Sequence, residues 1–479
     1  MKVLKLCRYV AISLAALFMA NCTSILDQPI IQTPVAGNAW QTPMDVNQGV
    51  AGAYDLLRTA LPNKLFMFGE ARSGIYQLAT SNNVRPYSLV QNNSRTELLG
   101  GGTDWTDFYR VIAQANLILE MAGTISGYGT GEFERYTGEA AFIRALTYFT
   151  LARMFGDVPL QLQGIQQDAI ARTSQQQIFE QIIDDLDYAI SNLAVEYATG
   201  DRAVRATRGS AQAIKAHVLA WLHRYEEAEQ LCSEVIDNGQ YQMVTDSASL
   251  ISVFVGKSRE GIFELNFSSD QAELRINQFY QHFLGRPWYR DVSDGGGGSE
   301  NYLLIPRPAI KTQLFPTGQR DIRRGVWYIE STWNSDIPFL GKYRTLQGGS
   351  ADTLSQNINE SNIIITRLPD IILLRAESLA ELNRNSEAAM ELNKVRMRAM
   401  RPIYAGDGNI RDTILLERRV ELIGEGHFFF DLVRTRQMPR YHPSITTTDW
   451  YENFSWSLPI HPNVLARSNN LIENYPIWF

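Results

Sequence analysis

Cysteine is close to absent from this chain, with three residues in 479. Cys7 and Cys22 fall in the first 22 residues and Cys232 stands alone. An internal disulfide framework is therefore excluded, and Cys232 is expected to be a small buried helix residue. Histidine is scarce as well. The six are scattered, and His217 and His223, six apart, would not share a helix face as metal ligands. Excess positive charge is missing: the formal net charge is −7 and no basic stripe is present, which argues against a nucleic-acid partner. Long apolar runs are missing after residue 20, so no later segment is expected to span a bilayer. Enzyme signatures are missing too. There is no His-Glu-x-x-His, no Gly-x-Ser-x-Gly and no Lys-Ser/Thr after a glycine loop. Gly127 and Gly129 are followed by Glu132 where a dinucleotide loop would need its third glycine, and Gly295–Gly298 reads as a flexible loop. No Asp-x-Asp-x-Asp-Gly calcium loop is found, and no cofactor or metal is implied. His427 and Asp431 have an acid–base spacing, but their setting among Phe428, Phe429 and Phe430 points to a structural role.

What is present begins with an export signal. Lys2, Lys5 and Arg8 precede an apolar run of twelve, Tyr9–Ala20. Phe18-Met19-Ala20-Asn21-Cys22 resembles a bacterial lipobox, which implies removal of residues 1–21 and lipid on Cys22. Loss of three positive charges would take the net charge from −7 to −10.

The rest of the chain can be organised around Gly138–Leu160. Ala141, Ala145, Tyr148, Ala152 and Phe155 recur at helical steps, suited to close packing of small residues and rings, and Gly156 and Pro159 stop the helix. Arg144, the charge in this run, is expected to pair with a carboxylate of another helix. Further helical stripes are Val46, Val50, Tyr54 and Leu57; Phe108, Ile112, Ala115 and Leu119; and Ile178, Ile182, Leu186 and Ile190. Gly209–Leu222 and Tyr225–Asp237 read as a tetratricopeptide-like helix pair, as do Leu368–Leu382 and Ser386–Met400, with Arg411–Ile423 following. Leu61–Gly102 reads as irregular. Ile262–Phe267 alternates like a strand, and residues 268–362 hold no sustained helical period, so loops and short strands are expected there. The predicted class is mainly α, an α-helical scaffold with an irregular, loop-rich insertion.

Several segments resemble the SusD/RagB-type outer-membrane lipoproteins of Bacteroidetes. Glu139, Ala140, Arg144, Ala145, Phe155, Gly156, Asp157 and Pro159 match one family motif, and Trp105, Tyr109, Ala115 and Asn116 another. Glu417, Arg418, Glu421, Leu422, Glu425, Gly426, Asp431, Leu432 and Arg434 match a third, with Glu417, Arg418, Arg419 and Glu421 expected to form ion pairs between helices. The ending Leu458–Trp478 and the start Cys22, Leu26, Asp27 are also similar to the family's. The resemblance implies a single domain over 22–479: a tether to 44, a helical part over 45–261, an insertion over 262–362 and a second helical part over 363–479. It further implies a lipid-anchored protein at the cell surface, in the outer membrane, that binds a nutrient oligomer without catalysis and works with a SusC-like TonB-dependent transporter.

The residues point to binding by stacking. From Phe279 to Tyr343, twelve of 65 residues are aromatic, about 18% against 11% overall. An aromatic face packs on the C–H face of a sugar while Asn, Asp or Arg fixes its hydroxyls. Candidate ligand-binding residues lie in the two irregular regions: Arg72, Tyr76, Asn82, Asn83, Arg85 and Tyr87, then Trp288, Tyr289, Tyr302, Trp327, Tyr328 and Trp333. Arg367, in the Thr-Arg-Leu-Pro-Asp lead into a helix, is a further candidate that is also suited to a structural ion pair. The expected ligand is a glycan. A peptide, a purely structural envelope scaffold and a lipid-anchored hydrolase stand as alternatives.

Overall fold

The computed structural model describes residues 40–78, 102–267, 304–306, 308–330, 338–343, 346–347, 358–359, 361–441 and 449–476, apart from positions 167, 198 and 470. The signal segment, Cys22 and most of the tether lie outside the described residues. Helix dominates, as the patterning predicts. No described helix is long and apolar enough to cross a membrane.

Helix α1 (Pro43–Ala60) starts on a capping box: Thr42 accepts from the Asp45 amide, and the Thr42 amide donates to the Asp45 carboxylate at 2.8 Å. Its expected stripe is buried at Val46, Val50 and Leu57. The chain then departs from the expected irregular stretch. Pro62 at the first position opens a short helix, α2 (Pro62–Gly69), which buries Leu65, Phe66 and Phe68. A turn over Ala71–Ser73 leads to strand β1 (Tyr76–Leu78). Eight residues hold too few periods for a helical pattern to stand out in the sequence.

Helices α3 (Thr106–Ala122), α4 (Glu132–Phe155) and α5 (Gln175–Asn192) pack side by side. The Ala–aromatic stripe of α4 is fully buried, and Gly156, at φ 78°, ends the helix. Arg144 ties the three together. It donates to both Asp185 oxygens of α5 at 2.8 and 2.6 Å and to Asn116 Oδ1 of α3 at 2.7 Å. This is the paired arginine that the sequence implies.

Two helix pairs follow the same plan. In α6 (Arg208–Trp221) and α7 (Tyr225–Asp237) the turn residue His223 has φ 59° and Arg224 clasps Glu227 with two bonds of 2.6 Å. In α8 (Leu368–Glu381) and α9 (Asn385–Arg398) Asn383 has φ 61° and Arg384 clasps Glu387 at 2.7 and 2.6 Å. The shared turn marks a structural repeat, and α7 packs against α8 to join the pairs. Cys232 is buried in α7, as expected.

Strand β2 (Gly261–Leu265) pairs antiparallel with β8 (Ile363–Arg367) and is buried on both faces. Between them the described parts of the insertion are short: β3 (Leu304–Pro306), a helix over Pro308–Leu314, β4 (Tyr328–Glu330) paired with β5 (Pro338–Leu340), and β6 (Leu346–Gln347) paired with β7 (Ile358–Asn359). Helices α10 (Ile410–Leu422) and α11 (Phe428–Arg434) complete the scaffold. The tail returns across it: the Leu458 amide donates to Met154 O of α4 at 2.7 Å, and Tyr475 stacks on Phe454 at 4.7 Å with Arg172 over its ring.

Candidate functional site

Strand β1 pairs antiparallel with β3, Tyr76 opposite Pro306 and Leu78 opposite Leu304. Residues 79–101, which follow β1, and 268–303, which precede β3, lie outside the described residues. The pairing itself joins two points of the chain more than 200 residues apart in sequence. Nothing in the sequence pattern announces this pairing.

That sheet rests on a close backbone contact. A Cβ on Gly69 would collide with the Gly426 carbonyl oxygen, and one on Gly426, at φ 82°, would lie 2.5 Å from Leu65 Cγ. The Glu70 carboxylate, fully buried, accepts from the Gly424 amide at 3.0 Å and from the Tyr76 hydroxyl at 2.9 Å. Burial pushes the Glu70 carboxyl up to about 7, against the pull of these hydrogen bonds. Tyr76 thus points inward, and burial raises its hydroxyl well above the usual tyrosine range. Arg72 is also buried. It donates to Trp456 O at 2.9 Å and lies 4.3 Å over the Phe429 ring, and burial lowers its guanidinium to about 9.

The insertion docks through charge. Arg323 donates to Asp321, Glu417 and Glu421, and Lys342 to Glu425 at 2.5 Å. Arg367, at the start of α8, donates to both Glu425 oxygens at 2.8 Å and to Glu260 and Glu421 at 2.7 Å. Arg398 reaches Glu421, and Arg401 lies 3.4 Å from Glu417. Five cations (Arg323, Lys342, Arg367, Arg398, Arg401) face five carboxylates (Glu260, Asp321, Glu417, Glu421, Glu425), all buried apart from the partly buried Asp321. Burial disfavours each charge, but the guanidiniums of Arg398, Arg367 and Arg323 hold the Glu421 carboxyl well below its ordinary range. Burial lowers the Lys342 ammonium to about 8. Trp327, fully buried, is the apolar centre of this cluster. Lys342, Arg367 and Arg398 lie 4.5, 5.1 and 5.5 Å from it, and its indole N–H donates to Leu250 O. Tyr328 packs edge-on against Phe315 at 4.6 Å and is also buried.

Arg72, Tyr76, Trp327, Tyr328 and Arg367 are therefore buried within the protein, and Trp327 and Arg367 lie where the insertion meets the scaffold. The ligand-facing proposal does not rest on them. Asn82, Asn83, Arg85, Tyr87, Trp288, Tyr289, Tyr302 and Trp333 lie outside the described residues. Of the expected inter-helix ion pairs, Glu417 and Glu421 form theirs with Arg396 and Arg398 of α9 and Arg418 with Asp370 of α8, whereas Arg419 bonds Gln313 at 3.1 Å and no carboxylate among the described residues. His427 is likewise no partner of Asp431 through its side chain. Arg418 and Arg434 occupy that carboxylate. Among the described residues no cluster of three His, Cys, Asp or Glu could hold a metal ion.

Sequence reasoning missed Glu70, Glu260, Arg323 and Lys342. The available signal was Glu417 and Glu421, carboxylates four apart on one side of a helix, with Glu425 just beyond its end.

Known proteins share this fold. A model of the SusD family matches residues 328–478, and one described as starch-binding associating with outer membrane matches residues 42–219. A SusD-like protein of Formosa agariphila is 28% identical over 461 residues, covering 87% of this chain and 88% of its own. The structure of a SusD homolog from Bacteroides thetaiotaomicron superimposes with a TM-score of 0.78 at 25% identity, over 92% of this chain and 99% of that one. The chain belongs to the SusD-like family. A laminarin-binding SusD-like protein has the same fold, with a TM-score of 0.73 at 21% identity over 91% of this chain and all of that one. In this SusD-like chain the motif residues Glu421 and Glu425 are docking points of the insertion, and Gly426 is where α2 packs.

Proposed function

We propose that this SusD-like protein captures glycan oligosaccharides at the cell surface and delivers them to a SusC-like TonB-dependent transporter, without making or breaking a bond. The observation that supports the reading is the β1–β3 pairing: in sequence β1 is followed by Asn82, Asn83, Arg85 and Tyr87, and β3 is preceded by Trp288, Tyr289 and Tyr302. Two such segments can offer stacking rings and amide hydrogen-bond groups to one ligand. Family membership and the laminarin-binding structural relative favour a glycan over a peptide. Residues 22–479 act as a single unit, held at the outer membrane by lipid on Cys22, with residues 22–44 as the tether. The family description that refers to the outer membrane supports that location.

Calorimetric titration of the soluble chain from residue 23 with oligosaccharides, β-glucans included, and with peptides of equal length tests the reading. Binding of at least one glycan, with the glycan recovered intact, is expected. Binding of peptides alone, or shortening of the glycan with turnover, contradicts it.

A further inference from the structure

A cavity of about 20 Å³ lies inside the scaffold, where α2, α4, α6, β8 and the residue before α11 meet. Most of its wall is apolar, from Leu61, Leu65, Leu146, Phe149, Ile214 and Ile365, but Arg153, His217 and His427 also line it. The volume exceeds the roughly 10–15 Å³ that one water-sized species needs, so a single small species fits. Two of the polar lining groups are unsatisfied. His427 is 9% exposed, and its Nε2 makes no hydrogen bond. Arg153 is held between the faces of Phe149 and Phe430, 4.0 and 4.4 Å from their centroids. Its Nε makes no hydrogen bond, and among the described residues it has no carboxylate within ion-pair distance. A cation is excluded by the guanidinium, and a carboxylate or phosphate is too large for the space.

We propose that this cavity takes one chloride-sized anion between Arg153 and His427. A weakly hydrated halide suits a wall that combines apolar side chains with unspent N–H donors. The surrounding charges set a condition. Asp370 is bound by His217 Nε2 and Arg418, at 2.8 and 3.0 Å. Asp431 is bound by Arg418 and Arg434, and Glu377 by Arg434. These three carboxylates balance the three guanidiniums of Arg153, Arg418 and Arg434. An entering anion therefore brings a proton, and His427, whose Nε2 has no partner, is the group that takes it. In the anion-free protein burial lowers His427 to about 4, so occupancy strengthens as pH falls.

The test is a bromide soak of crystals of the wild-type mature chain at pH 5, with anomalous diffraction, alongside thermal unfolding in sodium bromide and in sodium gluconate at equal ionic strength. An anomalous peak in the cavity is expected. Bromide should raise Tm relative to gluconate by on the order of 2 °C at pH 5 and by less at pH 8. Arg153→Gln and His427→Gln should each remove the difference between the salts, whatever their own Tm. A cavity holding water without anomalous signal, or equal Tm in both salts at both pH values, overturns the proposal.

Discussion

Arg367 and Glu425 face each other as a two-pronged ion pair, both bonds 2.8 Å long and both side chains fully buried. One stands at the head of α8 and the other just beyond the end of α10, and the insertion's Lys342 closes on the same carboxylate. The pair thus joins the C-terminal helices to the segment laid over them. Removing one partner leaves the other as an uncompensated buried charge, at a cost of about 3–5 kcal/mol. Arg367→Met should therefore lower the urea midpoint steeply, as should Glu425→Leu. Arg384→Met, which touches a surface clasp, should leave it in place. Equal midpoints for Arg367→Met and wild type would show that the cluster contributes nothing.

Trp327 and Trp333 are six residues apart, and separate roles are expected of them: Trp327 is buried in the charge cluster, and Trp333 is a proposed ligand contact. Trp327→Ala should cost about 3–5 kcal/mol by emptying the centre of the charge cluster. Trp288→Ala and Trp333→Ala should leave Tm within a degree or so of wild type and weaken glycan binding by about tenfold or more, as loss of an aromatic anchor does. Calorimetry and thermal unfolding on the same preparations separate the two behaviours. Unchanged affinity in both single variants would count against stacking as the source of binding.

The Gly69–Gly426 contact fixes where β1 emerges. Gly69→Ala should lower Tm by several degrees and weaken ligand binding together, since the methyl group meets backbone rather than a movable side chain. Gly123→Ala, at a helix end with φ −69° and open space around the added methyl, should be neutral or slightly stabilising.

Stability should depend on pH from two sides. Glu70 and Glu264 hold their protons up to about 7 in the fold, because burial disfavours their charge, against about 4.3 in the unfolded chain. Their contribution is full below about pH 4.3 and is lost as pH rises through 7. Glu421, Glu425, Asp370 and Asp431 have lowered values, so their contribution is present above about pH 4 and is lost as pH falls through the folded values. Tm should be highest near about pH 4–5, where both sets of groups contribute. Glu70→Gln should flatten the descent between about pH 5 and 7. A Tm that rises steadily from pH 5 to 8 would contradict the protonated state of Glu70.

The helical scaffold was legible because its stripes are long. Val46 to Leu57 and Ala141 to Phe155 repeat through several turns, and the turns at His223 and near Asn385 separate paired helices. The short α2 was not legible, since eight residues opened by Pro62 resemble loop. Trp327 and Tyr328 looked like ligand contacts because an aromatic in an irregular segment reads the same whether it faces solvent or a core. What decides between them is Glu421 and Glu425, which lie about a hundred residues away. Arg367 was ambiguous for the same reason. The β1–β3 pairing was hidden because three-residue strands carry no period.

The central claim is capture for transport, and native purification tests it most directly. The protein would be drawn in mild detergent from its own membrane, and co-purifying proteins and small molecules identified by mass spectrometry. The account predicts a large outer-membrane barrel in equal amount, with oligosaccharide in the preparation. Recovery of the protein without barrel or glycan, from membranes whose other complexes stay intact, would contradict it.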